Sequence, residues 1–321
     1  MVNLKIGVEM KRLTILLICL VFGAVHLFAQ CFEAACIPRE IKETCTVDKS
    51  TGCIDWTNGI LYAAGLGVPN KKFEDPAQRH AMALRAAKLE GMRNLLEMLE
   101  GVHITSSTTV KEGMLNNDVI ETQIRGKLKN VVQAGQKTMG NGSIWITVKM
   151  YMKDIRPILL EGVRKRESDT WHADSGQAQV EERPVREETA VEETAVESSE
   201  MHYGGSIDTI YTGLVVDARG TGVVPALAPK IYSETGREVY GSAAIDREFA
   251  LKFGIVGYAK DLEKVKSDDR VKGNILFLKA RGLFGGQNSD LKIAEEDAEL
   301  ISQLDRSQSF LREARVMILV D

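Results

Sequence analysis

No cysteine follows Cys53, and histidine, tryptophan and proline are sparse along the whole chain. Beyond His26, the histidines are His80, His103, His172 and His202, scattered over separate segments, so they do not suggest a ligand set. No His-Glu-x-x-His helix and no Gly-x-Ser-x-Gly elbow occurs. Gly220-Thr221-Gly222-Val223-Val224-Pro225 lacks the third glycine of a dinucleotide fingerprint and runs into proline instead of a helix. Gly282-Leu283-Phe284-Gly285-Gly286 is not followed by Lys-Ser/Thr, which excludes a phosphate loop. These absences leave no candidate catalytic residue, cofactor-binding residue or metal ligand, and the chain reads as a non-enzymatic protein. The formal net charge of -4 argues against nucleic acid as a partner.

What is present begins at the amino end. Lys11-Arg12 precede the apolar run Leu13-Thr14-Ile15-Leu16-Leu17-Ile18-Cys19-Leu20-Val21-Phe22, and Ala29-Gln30 lead into Cys31. A basic cluster, a short apolar run and a small residue near its end form an export signal over residues 1–30, with Met10 as an alternative start. The protein is therefore expected in the periplasm, where disulfides form. Residues 31–53 form a cysteine-rich leader with Cys31, Cys36, Cys45 and Cys53. Four cysteines imply two disulfides with three possible connectivities. Phe28-Ala29-Gln30-Cys31 also resembles a lipobox, with Gln30 where a small residue is preferred, so Cys31 is a lipidation candidate too. The two fates exclude each other, because a lipid on Cys31 leaves three thiols.

Residues 167–200 contain no Leu, Ile or Phe, are rich in Glu, and hold only Arg183 and Arg186 as basic residues besides His172. Glu187-Glu188-Thr189-Ala190-Val191 repeats as Glu192-Glu193-Thr194-Ala195-Val196. Low hydrophobicity and self-repelling charge cannot offset the entropy of ordering, so residues 164–205 are expected to form a disordered acidic linker. It separates a domain at residues 54–163 from one at residues 206–321. The fold class is α+β: a small β-α-β-α-β-β module joined by that linker to a β-rich α+β domain.

In the first domain, residues 54–65 have strand character with glycine breaks. Asp75-Pro76 is a helix start, with Asp as N-cap and Pro at the first helical position. Leu84, Leu89, Met92, Leu96 and Leu99 are expected on one buried face of this helix, closed by Gly101. The β-branched run of residues 102–110 suits a strand, and a second helix is expected from about Asp118. Asn141-Gly142 between two strand-like runs signals a hairpin. In the last strand, Ile144, Ile146 and Val148 alternate with Trp145, Thr147 and Lys149, which predicts one apolar and one wetter face.

Ile54-Asp55-Trp56-Thr57-Asn58-Gly59, the segment Ala81-Met82-Ala83-Leu84-Arg85-Ala86-Ala87-Lys88-Leu89, Arg93-Asn94-Leu95-Leu96-Glu97 and Gly101-Val102 together carry a resemblance. This domain resembles the twenty-kilodalton lipoprotein family, which includes the flagellar P protein of outer-membrane-associated basal disks. It is also similar to the N-terminal domain of the flagellar T protein. The resemblance implies a small module at the outer membrane or flagellar base, assembled with copies of itself and with other envelope or flagellar proteins. It brings no catalytic residue, because none is part of the motif.

The second domain shows strand signals at residues 209–220, 230–232, 238–240, 273–280 and 314–320, with a helix near residues 292–304. Asp217 and Arg219 form a candidate polar site at a strand end, for an anion or a polar ligand. A charged turn that closes on itself is the favoured reading, since structural ion pairs are common. Trp56 and Trp145, with Tyr62, are candidates for a sugar-binding aromatic face, and core packing is the favoured reading for aromatics within strand-like segments. The leading expectation is an envelope assembly or scaffold protein that oligomerises through sheet edges or the helix face of the first domain. A periplasmic module binding peptidoglycan or another envelope glycan is the alternative.

Overall fold

The computed structural model describes residues 37, 41, 45, 47–49, 51–170, 203–285 and 288–321. The segment expected to be an export signal, Cys31, Cys36 and residues 171–202 of the expected 164–205 linker lie outside the described residues. Contacts divide the chain into two compact units that are not sequential: 1–99 with 128–151, and 100–127 with 152–321. Both mix helix and sheet, in an α+β fold.

The first unit is built on a five-stranded antiparallel sheet in the order β1-β2-β3-β7-β6. Its strands are β1 (Val47–Lys49), β2 (Gly52–Asp55), β3 (Ile60–Gly67), β6 (Val132–Thr138) and β7 (Ile144–Tyr151). The single strand expected over residues 54–65 is in fact the hairpin β2–β3. Its turn is set by Asp55, whose carboxylate accepts hydrogen bonds from Asn58 N (2.9 Å) and Asn58 Nδ2 (2.7 Å), with Gly59 at φ +63°. The expected Asn-Gly hairpin joins β6 to β7, with Asn141 Oδ1 accepting from Ser143 N at 2.9 Å and Gly142 at φ +83°.

Helix α1 (Pro76–Glu100) begins as its sequence demands, with Asp75 accepting from Ala77 N (3.0 Å) and Gln78 N (3.2 Å). Its buried stripe differs from the expected one. Ala83, Ala87, Gly91, Asn94, Leu95, Met98 and Leu99 are buried, whereas Leu89 is 57% exposed. The reason lies in the sheet, where Gly65 and Gly67 have no side chains to hold the helix away. A Cβ on Gly65 would collide with Gly91 N and Ala87 O, and one on Gly67 with Ala83 O. Small residues therefore face small residues, and the larger ones are turned aside. Asn94 is held in this contact because its Nδ2 donates to Ala64 O at 2.7 Å.

The other face of this sheet is not wet along its whole length. Trp145 and Thr147 are buried, and Lys149 and Tyr151 on that row are half-exposed. Trp145 packs in a cluster with Ile37, Cys45, Cys53 and Ala64, flanked by Ile41, Tyr62 and Met139. The leader thus packs onto the sheet and supplies the apolar partner that strand alternation alone does not reveal.

In the second unit, the run at residues 102–110 is a short hairpin, β4 (His103–Thr105) with β5 (Thr108–Thr109), and not one strand. Val110 starts helix α2 (Val110–Leu115), because Thr109 and Glu112 form a capping box: Thr109 Oγ1 accepts from Glu112 N, and Glu112 Oε2 accepts from Thr109 N at 2.7 Å. Helices α3 (Asp118–Leu128) and α4 (Met152–Thr170) also belong to this unit.

Its sheet has seven strands in the order β10-β9-β13-β12-β8-β14-β11. They are β8 (Gly213–Asp217), β9 (Ile231–Ser233), β10 (Glu238–Tyr240), β11 (Gly257–Ala259), β12 (Ile275–Leu283), β13 (Leu291–Ile293) and β14 (Val316–Leu319). The block β12-β8-β14-β11 is parallel, and β8 at its centre is buried at every residue. Helices α5 (Arg247–Phe253), α6 (Leu262–Ser267) and α7 (Glu295–Leu304) complete the unit. Val265 of α6 packs against Val215, Met317 and Leu319, giving one of the apolar cores.

Candidate functional site

The carboxyl ends of parallel strands are where α/β sheets place ligands, and Asp217 and Arg219 stand at the end of β8. Asp217 is 4% exposed. Its Oδ1 accepts from Arg219 N (3.1 Å) and Nε (2.9 Å), and its Oδ2 from Arg219 Nη2 (2.7 Å) and the Tyr203 hydroxyl (2.6 Å). An ionised carboxylate offers about four lone-pair positions, and four donors occupy them here. The carboxylate has no acceptor position left for a ligand or a proton.

The electrostatics agree with that closure. Burial acts to raise the Asp217 pKa, but hydrogen bonds from Arg219 and Tyr203 outweigh it and hold the carboxyl below its ordinary value. Tyr203 is pushed up to about 12, by burial first and then by the Asp217 carboxylate. Arg219 is raised above the ordinary guanidinium value by its hydrogen bond to Asp217. Beyond this cluster, Gly220 N donates to both Asp321 carboxylate oxygens (3.1 and 3.0 Å), and Gly220 and Gly222 take φ of +77° and +71°. Sequence reading identified Asp217 and Arg219 but not Tyr203, which approaches from outside the strand. The ladder explains its arrival: Gly204 bridges Phe277 of β12 and its N–H donates to Phe277 O at 2.8 Å.

Trp56 and Trp145 are each 9% exposed, and the structure does not bring them together. Trp56 lies in the turn before Ile60, which pairs with Tyr151, whereas Trp145 pairs with Leu66 at the far end of β3. Six residues of extended chain separate Tyr151 from Trp145, about 20 Å. They form no exposed aromatic face.

Of the cysteine set, Cys45 and Cys53 stand at disulfide distance with Cα atoms 5.8 Å apart. Among the described residues, no group of three or more His, Cys, Asp or Glu side chains is placed to hold a metal ion. No helix of the described residues is long and apolar enough to cross a membrane.

A second polar cluster has no sequence signature. At the end of α5, Arg270 donates to the carbonyls of Phe253, Gly254 (3.4 Å) and Ala314 (2.9 Å), and Arg156 donates to Lys252 O at 3.2 Å. Burial, then the Arg270 charge, lowers Arg156 to about 10. The pair caps the negative end of a helix, and its donors are directed at backbone oxygens. Only folding brings residues from α4, from the end of α5 and from the turn between α6 and β12 to one place.

Comparison with known proteins bears on this unit alone. Residues 213–321, which run from β8 through β14, match the family model for the second domain of Treponema pallidum Tp0624. No curated protein matches the chain.

Proposed function

We propose that this chain is a non-enzymatic assembly or scaffold protein of a bacterial cell envelope, exported to the periplasm and associated with the outer membrane or the flagellar base. The observation that carries the assembly reading is an outward apolar row on α1. Met82 is 44% and Leu89 57% exposed, on the side of the helix turned from the sheet. The two lie two turns apart on one side of the helix, and exposed large apolar side chains grouped on one face mark interaction surfaces.

The envelope assignment rests on the leader and on the resemblance of the first domain. Cys45 beside Cys53 suits an oxidising compartment, and only one of the three connectivities contains this pair. Its complement is Cys31 with Cys36; lipidation of Cys31 instead leaves Cys36 alone. Fractionation of cells carrying a tagged copy, with and without flagella, tests the assignment. Recovery in the envelope fraction is the expected result, and recovery in the cytosol rejects it. Loss from the envelope of aflagellate cells would favour the flagellar base over a general outer-membrane role.

A further inference from the structure

We infer that the open half of the seven-stranded sheet carries an acidic-peptide site built on Lys279 and Lys292, and that this chain's own residues 187–200 occupy it. Such a contact does not depend on assembly and goes beyond it.

The site follows from the sheet register. Val215 of β8 packs against Val265 of α6, and Ile275 and Phe277 of β12 lie against the same core. Phe277 pairs with Val215 and Lys279 with Asp217, so Lys279 stands on the α6 side of the sheet. Ala280 pairs with Ile293, and alternation then sets Lys292 on the same side as Lys279. Tyr232 pairs with Lys292, and Glu238 with Tyr232, which continues the row across β9 and β10. Helix α6 packs on β11 and β14, at the other end of the sheet. Beyond β12 this side is open: Lys279 and Glu238 are exposed, and Lys292 and Tyr232 are half-buried.

The row is cationic because its acids are already matched. Asp217 is filled by Arg219 and Tyr203, and Glu238 Oε2 meets Lys230 Nζ at 2.8 Å. Lys279 and Lys292 make no ion pair among the described residues. Two uncompensated ammonium groups thus lie side by side on an open surface.

Attachment and charge identify the occupant. Helix α4 and Tyr203 belong to the same unit, so the chain between them starts and ends on it. Gly204 N donates to Phe277 O at 2.8 Å, which fixes the end of that segment two residues along β12 from Lys279. Two strand residues span about 7 Å. Glu200 and Glu197 lie within about 11 and 22 Å of Tyr203 even on a fully extended chain, so both reach Lys279 without strain. Residues 187–200 hold six glutamates and no Lys, Arg or His. A single exposed ion pair is weak, but a short tether keeps these acids at about millimolar effective concentration beside the lysines. A free acidic partner has to exceed that concentration to displace them.

The test treats the processed full chain at low salt with a water-soluble carbodiimide. The reagent activates a carboxylate, the neighbouring lysine amine attacks it, and an amide forms as the reagent leaves as a urea. Peptide mass spectrometry locates the links, with Lys230–Glu238 as the internal standard. Lys279 and Lys292 should link to glutamates of 187–200 at least about tenfold more than the exposed Lys264 and Lys272 do. In a mixture of isotope-labelled and unlabelled chains, those links should fall within one chain. Links spread evenly over all four lysines overturn the site, and links mainly between chains overturn the occupant. A Glu-specific protease gives the second measurement. The double variant Lys279→Glu, Lys292→Glu, shown to be folded by circular dichroism, should be cut within 187–200 several-fold faster than wild type. Equal cutting of the two overturns the contact. If the variant does not fold, wild type at high salt replaces it, and cutting that salt leaves unchanged overturns the contact.

Discussion

Gly67 of β3 lies directly beneath Ala83 of α1, so close that a Cβ on Gly67 would run into the Ala83 carbonyl. This contact decides which side of α1 faces the sheet and which faces outward. The large side chains Met82 and Leu89 remain on the surface because the small ones are used underneath.

Gly67→Ala should therefore destabilise the protein by about 1–3 kcal/mol, through overpacking against backbone that cannot move aside. Gly126→Ala in α3 should act in the opposite sense. It sits in a helix with nothing within 4 Å of the added Cβ, and helix propensity favours alanine by about 1 kcal/mol. Urea unfolding of both variants beside wild type checks the pair.

Asp217→Asn should cost about 1–3 kcal/mol, because the amide keeps the volume but cannot accept from four donors. Asp217 has a depressed folded-state pKa, so its stabilisation is present above the ordinary carboxylate value and is lost as pH falls through the lower folded value. Tyr203 is the reverse case. Its contribution is complete below the ordinary tyrosine value of 10.0 and is lost as pH rises through about 12. Ultraviolet titration of the tyrosines should show Tyr203 titrating earlier in the Asp217→Asn variant, with burial still holding it above the ordinary tyrosine value. No change in the titration would mean that burial alone, and not the Asp217 carboxylate, raises Tyr203.

Reduction of Cys45–Cys53 should lower stability by about 2–3 kcal/mol, the loop-closure value for so short a bridge. Cys53 is buried and the pair belongs to the cluster beneath Trp145, so tryptophan fluorescence should shift on reduction. Intact mass of the mature chain would distinguish two disulfides from a lipid on Cys31. A fluorescence spectrum unaffected by reductant would mean that the leader does not pack on the sheet.

What could be read from the sequence follows a physical division. Asp75-Pro76 and Asn141-Gly142 carry their own local chemistry, and the helix start and hairpin appear where those residues stand. Thr109-x-x-Glu112 is also a local signal, and it could have ended the strand reading before Val110. The face of α1 was not legible, because leucine periodicity does not reveal that Gly65 and Gly67 lie beneath the helix. Strands of three residues, such as β11 and β13, are too short to show a period, and parallel pairing with β14 and β9 respectively sustains them. Asp217 and Arg219 were visible as neighbours, but Tyr203 reaches Asp217 only through the Gly204 bridge to β12.

Mass by multi-angle light scattering, followed over a broad range of concentration on the processed full chain, tests the central claim most directly. The account predicts defined species heavier than one chain that grow in proportion as concentration rises. A single species with the mass of one chain across the whole range would contradict it.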